Sequence, residues 1–524
     1  MRTLIRCAIG LKIQNRQWRC HSRESGNPAR ALNWKFLFIL TFWIPAFAGM
    51  TKQAQGQGLE RLRHDLDSLF SDTAFSNATF GVAIQSLKTG EYLYRRNDTK
   101  SLLPASNMKL FTTAEALALL GPEYRYKTEL LTNGPIKRHT LYGNLIIRGV
   151  GDPTFSDWGS PFFDTGLNIH REWPKLLRRI GVRRILGSIT IDNSFFTPER
   201  YAEGWQLDDA AYYYATPITA LADNENQVAL SIFPDSKVGK LATVGIYRQP
   251  IYGILRNHAV TGDTSSPLTI DAGRMLCSDT ITIRGMIPQL HPEVTERVSI
   301  DVPERYATDD FGSSLEYWGH IKQFNRHLRR HFYKKIRHPK ILASYSSRPL
   351  RKIIHAMNKE SDNFIAECLF RTVAKVIGGE GSWTRGIAVM RKYLATLGID
   401  TTRLQFTDGS GLSRMDLVTA DDIVTVLRAM ASNPKLDSAF YNSLPIMGVD
   451  GTLENRLKGT PAQGNVQAKT GSMTGVRAVS GYLTTRDGEQ LAFSILANNY
   501  TVSGSEIGKL EDEVLLKLVN FSRK

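Results

Sequence analysis

From Arg125 to about Glu316 the chain reads as short β-rich runs broken by Gly, Pro, Asn and Asp, whereas the segments on either side carry helical periodicity. Leu141–Ile147, Arg184–Ile191, Val228–Phe233 and Thr280–Ile283 are the clearest of these runs, and one convincing helix, about Ile169–Ile180, interrupts them. A change of texture this long in mid-chain constrains the fold more than any single residue, because the flanks must close around an insertion. The expected organisation is a leader at 1–48, a discontinuous domain built from 59–122 and 317–524, and an inserted β-rich region at 123–316, in one or two subdomains.

The flanks supply the elements of one domain. Leu59, Leu62, Leu66 and Leu69 recur at helical spacing. Thr79–Gln85 and Glu91–Tyr94 flank Lys88-Thr-Gly90, a hairpin signal. Pro104 and Ser106 open an apolar helical run that ends near Gly121. After the insertion, helical patterns fall at Leu315–His331, Pro349–Met357, Asn363–Val376, Trp383–Leu397 and Thr419–Ala431. Strands follow at Ala478–Thr484 and Gln490–Leu496, and a helix at Glu506–Asn520.

The N-terminus predicts export. Residues 1–35 hold eight Lys/Arg against one Glu, and Phe36–Ile44 is an apolar run followed by Pro45 and Ala46-Phe47-Ala48. A basic flank, a short apolar core and an A-x-A end are what a secretory signal requires, with cleavage near Ala48 and a periplasmic mature protein. Losing that +7 from the formal +16 leaves +9, a balance that suits work beside anionic wall polymers better than nucleic acid. It also leaves room for a loose association with a membrane surface. The mature chain keeps only Cys277 and Cys368, which is no disulfide framework; two buried, separate thiols are expected.

Three short motifs stand in an order that suits serine acyl transfer: Ser106-Asn-Met-Lys109, Ser361-Asp-Asn363 and Lys469-Thr-Gly471. On a helix, positions three apart share a face, so Lys109 reaches the Ser106 hydroxyl. A hydroxyl attacks only when a base takes its proton, and a lysine serves only if its pKa falls from about 10.4. Burial and a second cation, Lys469, would lower it. Asn363 can hold Lys109 and the substrate amide, and Ser361 can relay the proton to the leaving amine. Lys469-Thr-Gly471 would be an edge strand pairing with the substrate, with Thr470 or Ser472 binding a terminal carboxylate. The N–H groups of Ser106 and Ser472 would form the oxyanion hole. Each motif alone is weak: Ser432-Asn-Pro-Lys435 and Lys88-Thr-Gly90 also match, but Pro434 disrupts a helix and Lys88 precedes the nucleophile in a turn.

The spacing narrows the possibilities. Ser106 and Ser361 are 255 residues apart, and Ser361 and Lys469 are 108 apart. With Gly151-Asp-Pro-Thr154, Asp408-Gly-Ser-Gly-Leu-Ser-Arg414 and Gly448-Val-Asp-Gly-Thr452, the chain resembles the penicillin-binding protein 4 type D-alanyl-D-alanine carboxypeptidases and endopeptidases, peptidase family S13. The resemblance implies the α/β fold of serine β-lactamases and D,D-peptidases, an antiparallel sheet between helices. It implies peptidoglycan stem peptides as substrates, β-lactams as inhibitors, and neither metal nor cofactor. It further implies that Arg414 recognises the carboxylate of a diaminopimelate side chain. Asp192, on the looser match Ile191-Asp-Asn-Ser-Phe195, would take its ammonium end.

Rival readings are a β-lactamase, or a non-catalytic protein that binds wall fragments in the same pocket. Thr384–Asp400 holds no Glu for a deacylating loop, which disfavours the first. Every position the chemistry needs is filled, which gives no reason to prefer the second. His327 and His331 lie among so many cations that a solvated basic face is expected rather than a metal site. Asp208-Asp209 reads as a loop-to-strand junction and Cys368 as core packing. No G-x-S-x-G or H-E-x-x-H is present.

Overall fold

Seven successive residues of the first strand, Phe80 to Ser86, are buried, which a strand achieves only when both faces of its sheet are covered. The computed structural model describes residues 57–155, 169–246, 253–323 and 339–523, all within one compact unit spanning 56–524. The leader with Ala48, Cys7 and Cys20, and the run carrying His327 and His331, lie outside the described residues.

The chain begins with helix α1 (57–70), strands β1 (Thr79–Ser86) and β2 (Tyr92–Arg96), and helix α2 (Met108–Leu119). Beyond the insertion come helices α3 (Leu350–Glu360), α4 (Asn363–Gly378), α5 (Trp383–Thr396) and α6 (Ala420–Ala431). Strands β3 (Gln467–Met473), β4 (Val476–Thr484) and β5 (Gln490–Asn498) and helix α7 (Gly504–Val519) complete it. The sheet order is β3-β4-β5-β1-β2, antiparallel throughout. Alternate side chains of a strand face opposite ways. Phe80, Val82 and Ile84 of β1 with Leu491, Phe493 and Ile495 of β5 therefore meet α1 and α7, while Ala83, Ala492 and Leu496 meet the layer of α2, α4 and α6. Two chain ends separated by the whole insertion thus build one three-layer α/β/α domain, the expected α/β architecture.

Helix α2 is the innermost element. Met108 to Leu117 are buried without interruption, the pattern of a helix packed on all sides rather than amphipathic. It carries Lys109 at its first turn, and Ser106 lies in the 3₁₀ turn Ala105–Asn107 that leads into it.

The inserted region has two hydrophobic clusters. One centres on Leu130, Leu145, Ile147, Trp173 and Phe311, the other on Leu230, Ile232, Ile281, Ile283 and Val298. Strand Lys340–Ser346 pairs antiparallel with Lys127–Thr132, the first strand of this region. Helix Pro303–Gly319 begins 12 residues before the pattern at Leu315 suggested, with Pro303 at its first turn.

His170, Asp223 and Asp310 form a buried cluster inside this region. His170 Nε2 lies 3.3 Å from Asp223 Oδ1 and Nδ1 3.7 Å from Asp310 Oδ2. Burial lowers the imidazole pKa, but Asp223 and then Asp310 outweigh it and push it up to about 9. The charged ring therefore ties helix Ile169–Arg179 to helix Pro303–Gly319. Cys368 is buried as expected, whereas Cys277 is exposed; both thiols are free. Cys277 sits in a left-handed turn, φ 56°, rather than in a packed strand.

Candidate active site

The three motifs meet because three separate elements end at one place. Ser106 stands at the head of α2. Ser361 is the residue after α3, in the left-handed conformation at φ 62° and ψ 37°. Asp362 caps α4 by accepting from Ile365 N at 2.7 Å, and Asn363 opens that helix. Lys469 lies on β3 at the sheet edge.

Lys109 is completely buried. Its Nζ donates to Asn363 Oδ1 at 2.6 Å and to Ser410 O at 2.9 Å, and lies 3.0 Å from Ser106 Oγ. A neutral amine has two N–H bonds and one lone pair. With both hydrogens directed to those two oxygens, the lone pair faces the Ser106 hydroxyl. Burial lowers the Lys109 pKa to about 8, against the opposing charges of Asp408, Asp362 and Glu367.

Lys469, also fully buried, donates to Ser361 Oγ and to Thr470 O, each at 2.8 Å. Burial first, and the charge of Lys109 second, hold it well below the ordinary lysine value. Desolvation thus governs both amines.

Glycines explain the tight convergence. A Cβ on Gly471 would lie 2.8 Å from Pro104 O and 3.0 Å from Ser106 N, so β3 approaches the nucleophile only because that side chain is absent. Gly411, at φ 82°, presses on Ala105 O in the same way. The Asp408–Arg414 loop is held from within: Asp408 accepts from Gly411 N and Ser413 N, each at 2.7 Å, and from Trp205 Nε1 at 2.9 Å. Buried Glu367 accepts from Gly409 N at 3.0 Å and Ser410 N at 2.7 Å. Burial, with the charge of Asp408, raises its pKa to about 8. This scaffold fixes the Ser410 carbonyl that holds Lys109.

A cleft of about 520 Å³ opens over these groups, lined in part by Ser106, Ser361, Asn363, Arg414, Ser472 and Thr474. Arg414 donates to Thr474 O from both Nη atoms at 3.2 Å. Thr470 lies on β3 with its hydroxyl 2.7 Å from that of Thr452. Asp192 does not line this cleft. It ends strand Ile189–Asp192, accepts from Arg148 Nε at 3.3 Å and from Ser194 Oγ at 2.6 Å. A carboxylate already held by those partners has a local structural use there.

The insertion contributes residues that the sequence pointed to weakly or not at all. Asp209, Tyr213, Tyr214 and Glu225 also line the cleft. Asp208-Asp209, read as a junction, lies in the 3₁₀ turn Leu207–Ala211. Asp209 Oδ1 accepts from Tyr214 Oη, and Tyr214 O accepts from Asn363 Nδ2, each at 2.9 Å. Asn363 is thereby held between the base and the insertion. Asn224, Glu225 and Asn226 are all left-handed, at φ 51°, 54° and 57°, a conformation that non-glycine residues rarely adopt in succession. Its only sequence trace is the pair of asparagines. The two decoy motifs are elsewhere: Ser432 caps the end of α6, and Lys88–Gly90 turns between β1 and β2.

Comparison with known proteins agrees with this architecture. The model of the D-Ala-D-Ala carboxypeptidase 3 (S13) family matches residues 62–516. The D-alanyl-D-alanine carboxypeptidase of an Actinomadura species is 34% identical over 482 residues, covering 90% of this chain and 86% of its own. D-alanyl-D-alanine carboxypeptidase DacB of Haemophilus influenzae is 27% identical, covering 93% and 95%. The crystal structure of penicillin binding protein 4 from Haemophilus influenzae superposes with a TM-score of 0.76 at 26% identity, covering 87% of this chain and 99% of that one. The three motifs, the insertion between the first two, and a match running almost from end to end place this chain in the D-Ala-D-Ala carboxypeptidase 3 (S13) family.

Proposed function

We propose that the chain is a penicillin-sensitive serine D,D-carboxypeptidase, a D,D-endopeptidase or both, that acts on peptidoglycan stem peptides through a Ser106 acyl enzyme. One observation carries this reading: a fully buried Lys109 with two donor directions occupied and its nitrogen 3.0 Å from Ser106 Oγ. Lys109 takes the hydroxyl proton as Ser106 Oγ bonds to the D-alanyl carbonyl carbon. The oxyanion is received by the N–H groups of Ser106 and Ser472. As the C–N bond breaks, the proton passes through Ser361, held by Lys469, to the leaving amine. Water, with Lys109 again as base, then hydrolyses the ester. Asn363 and the β3 edge around Gly471 position the peptide, and Thr470 with Ser472 receives its terminal carboxylate. Penicillin acylates the same serine and leaves slowly.

Labelled penicillin should modify Ser106 alone. Label persisting in Ser106→Ala, for instance on Ser432, would sink the assignment. Digestion of purified peptidoglycan, with the released muropeptides identified by mass, apportions carboxypeptidase and endopeptidase activity.

Arg414 reads the free carboxylate on the third residue of the stem peptide, and Asp209, one of the carboxylates that line the same cleft, takes the neighbouring ammonium in place of Asp192. A guanidinium grips a carboxylate through two parallel hydrogen bonds, a fork that lysine lacks. Arg414→Lys should therefore cost about 1.5–3 kcal/mol on diaminopimelate peptides, or about 10- to 150-fold in kcat/KM. Peptides with lysine at that position, and penicillin, should be nearly unaffected. Equal losses on all three would give Arg414 a role in the fold instead.

The protein works outside the cytoplasm, in the periplasm, with residues 1–48 removed. No described helix is long and apolar enough to cross a membrane, and the positive balance of the mature chain suits work beside anionic wall polymers. N-terminal sequencing should find a start just after Ala48; a mature form beginning at Met1 would replace cleavage with an anchor.

A further inference from the structure

The segment Leu444–Thr452 is tied to both the second and the third motif. Lys359, in the last turn of α3 and two residues before Ser361, is 1% exposed. Its Nζ donates to Asp450 Oδ1, Asp450 Oδ2 and Leu444 O, each at 2.7 Å. Asp450 Oδ1 also accepts from Ile446 N at 2.8 Å. On its other side the segment runs beside the start of β3, with Ala468 N donating to Pro445 O at 3.0 Å and Met447 N to Val466 O at 2.9 Å. Gly451, at φ 60°, lets it press against Lys359, whose carbonyl would lie 2.8 Å from a Cβ there. The next residue, Thr452, places its hydroxyl 2.7 Å from that of Thr470.

A hydroxyl has one proton. If Thr470 donates to Thr452, it presents only lone pairs to a substrate anion. If Thr452 donates to Thr470, the Thr470 proton is left to point at the anion, and the chain of two hydroxyls polarises in the favourable direction.

We infer that Thr452 is a specificity-determining positioning residue, which orients the Thr470 hydroxyl toward the terminal carboxylate of the peptide while the buried Lys359–Asp450 pair fixes its loop. This rests on the reading that Thr470 receives that carboxylate. The test compares the parent with Thr452→Val, Thr452→Ser, Thr470→Val and the Thr452→Val/Thr470→Val double variant. Two substrate pairs are used: a peptide ending in D-alanyl-D-alanine against the same peptide ending in D-alaninamide, and benzylpenicillin against its methyl ester.

Thr452→Val should lower kcat/KM for the carboxylate-bearing member of each pair by about tenfold, the loss of one hydrogen bond to a charged system, chiefly through KM for the peptide. The capped members should be cut or bound as by the parent. Thr452→Ser should restore the parent value, and the double variant should match Thr470→Val, because both act through one group. A carboxylate-selective loss in Thr470→Val with parental behaviour in Thr452→Val overturns the inference and leaves the reading of Thr470 standing. Loss of selectivity in neither variant removes that reading and the inference together. Equal losses on charged and capped substrates make Thr452 a structural residue only.

Discussion

Lys109→Ala should reduce acylation of Ser106 by about 10²–10⁴-fold, the usual cost of a general base, measured as the second-order rate of labelled penicillin incorporation. The parent should show the base directly in its pH profile. Attack requires neutral Lys109, and burial lowers that amine to about 8. Below that pH the acylation rate should rise about tenfold per unit as the proton is lost, and above it the rate should level. Lys109→Ala should flatten this limb. The neighbouring lysine is a poor substitute, because its hydrogen bonds go to Ser361 Oγ and Thr470 O. Near-normal acylation in Lys109→Ala, with the pH limb retained, would transfer the base role to Lys469.

Asp450→Ala should destabilise the protein by about 3–5 kcal/mol in denaturant titration. The reason is the depth of Lys359: the substitution leaves a 1% exposed ammonium with Leu444 O as the remaining one of its three acceptors. Burial already lowers the Lys359 pKa while Asp450 opposes it, so removing Asp450 lowers it further. The folded variant then binds fewer protons than the unfolded chain, and its stability falls as pH falls. The deficit against the parent should therefore be larger at pH 6 than at pH 9. Lys359→Met should cost less, since the side chain of Asp450 is 28% exposed to water and keeps the Ile446 N–H. A deficit in Asp450→Ala below about 1 kcal/mol, the range of exposed ion pairs, would show that the pair is solvated in solution.

Local features were legible because their causes are local. Ser106 and Lys109 share a face through the helical repeat itself. Gly90 marks the hairpin turn, and the helices after the insertion, α3 to α7, lie within a few residues of their periodic patterns. The ordered triple Ser106/Lys109, Ser361/Asn363 and Lys469 pointed to the family that the match over residues 62–516 shows, since few other reactions need those groups together.

What tertiary structure decided is what depends on pairing distant segments. Asp192 and Asp209 are both acidic residues in short motifs of the insertion, and only the packing of that region against the α4 N-terminus puts Asp209 in the cleft. Strand Lys340–Ser346 pairs with Lys127–Thr132, a register that no periodicity in either strand announces. Burial and the second amine, Lys469, were both expected to lower the pKa of Lys109, yet burial alone does so, and burial is a property of the assembled layers rather than of neighbours in sequence. Thr452 and Thr470 are an unremarkable pair 18 residues apart until backbone bonds from Ala468 to Pro445 and from Met447 to Val466 lay the segment before Thr452 beside β3. The sequence by itself determined which chemical groups the protein has and the local geometry within each motif. Their mutual distances, their desolvation and the walls around them came only from tertiary packing, because those quantities are set by contacts between residues that the chain holds far apart.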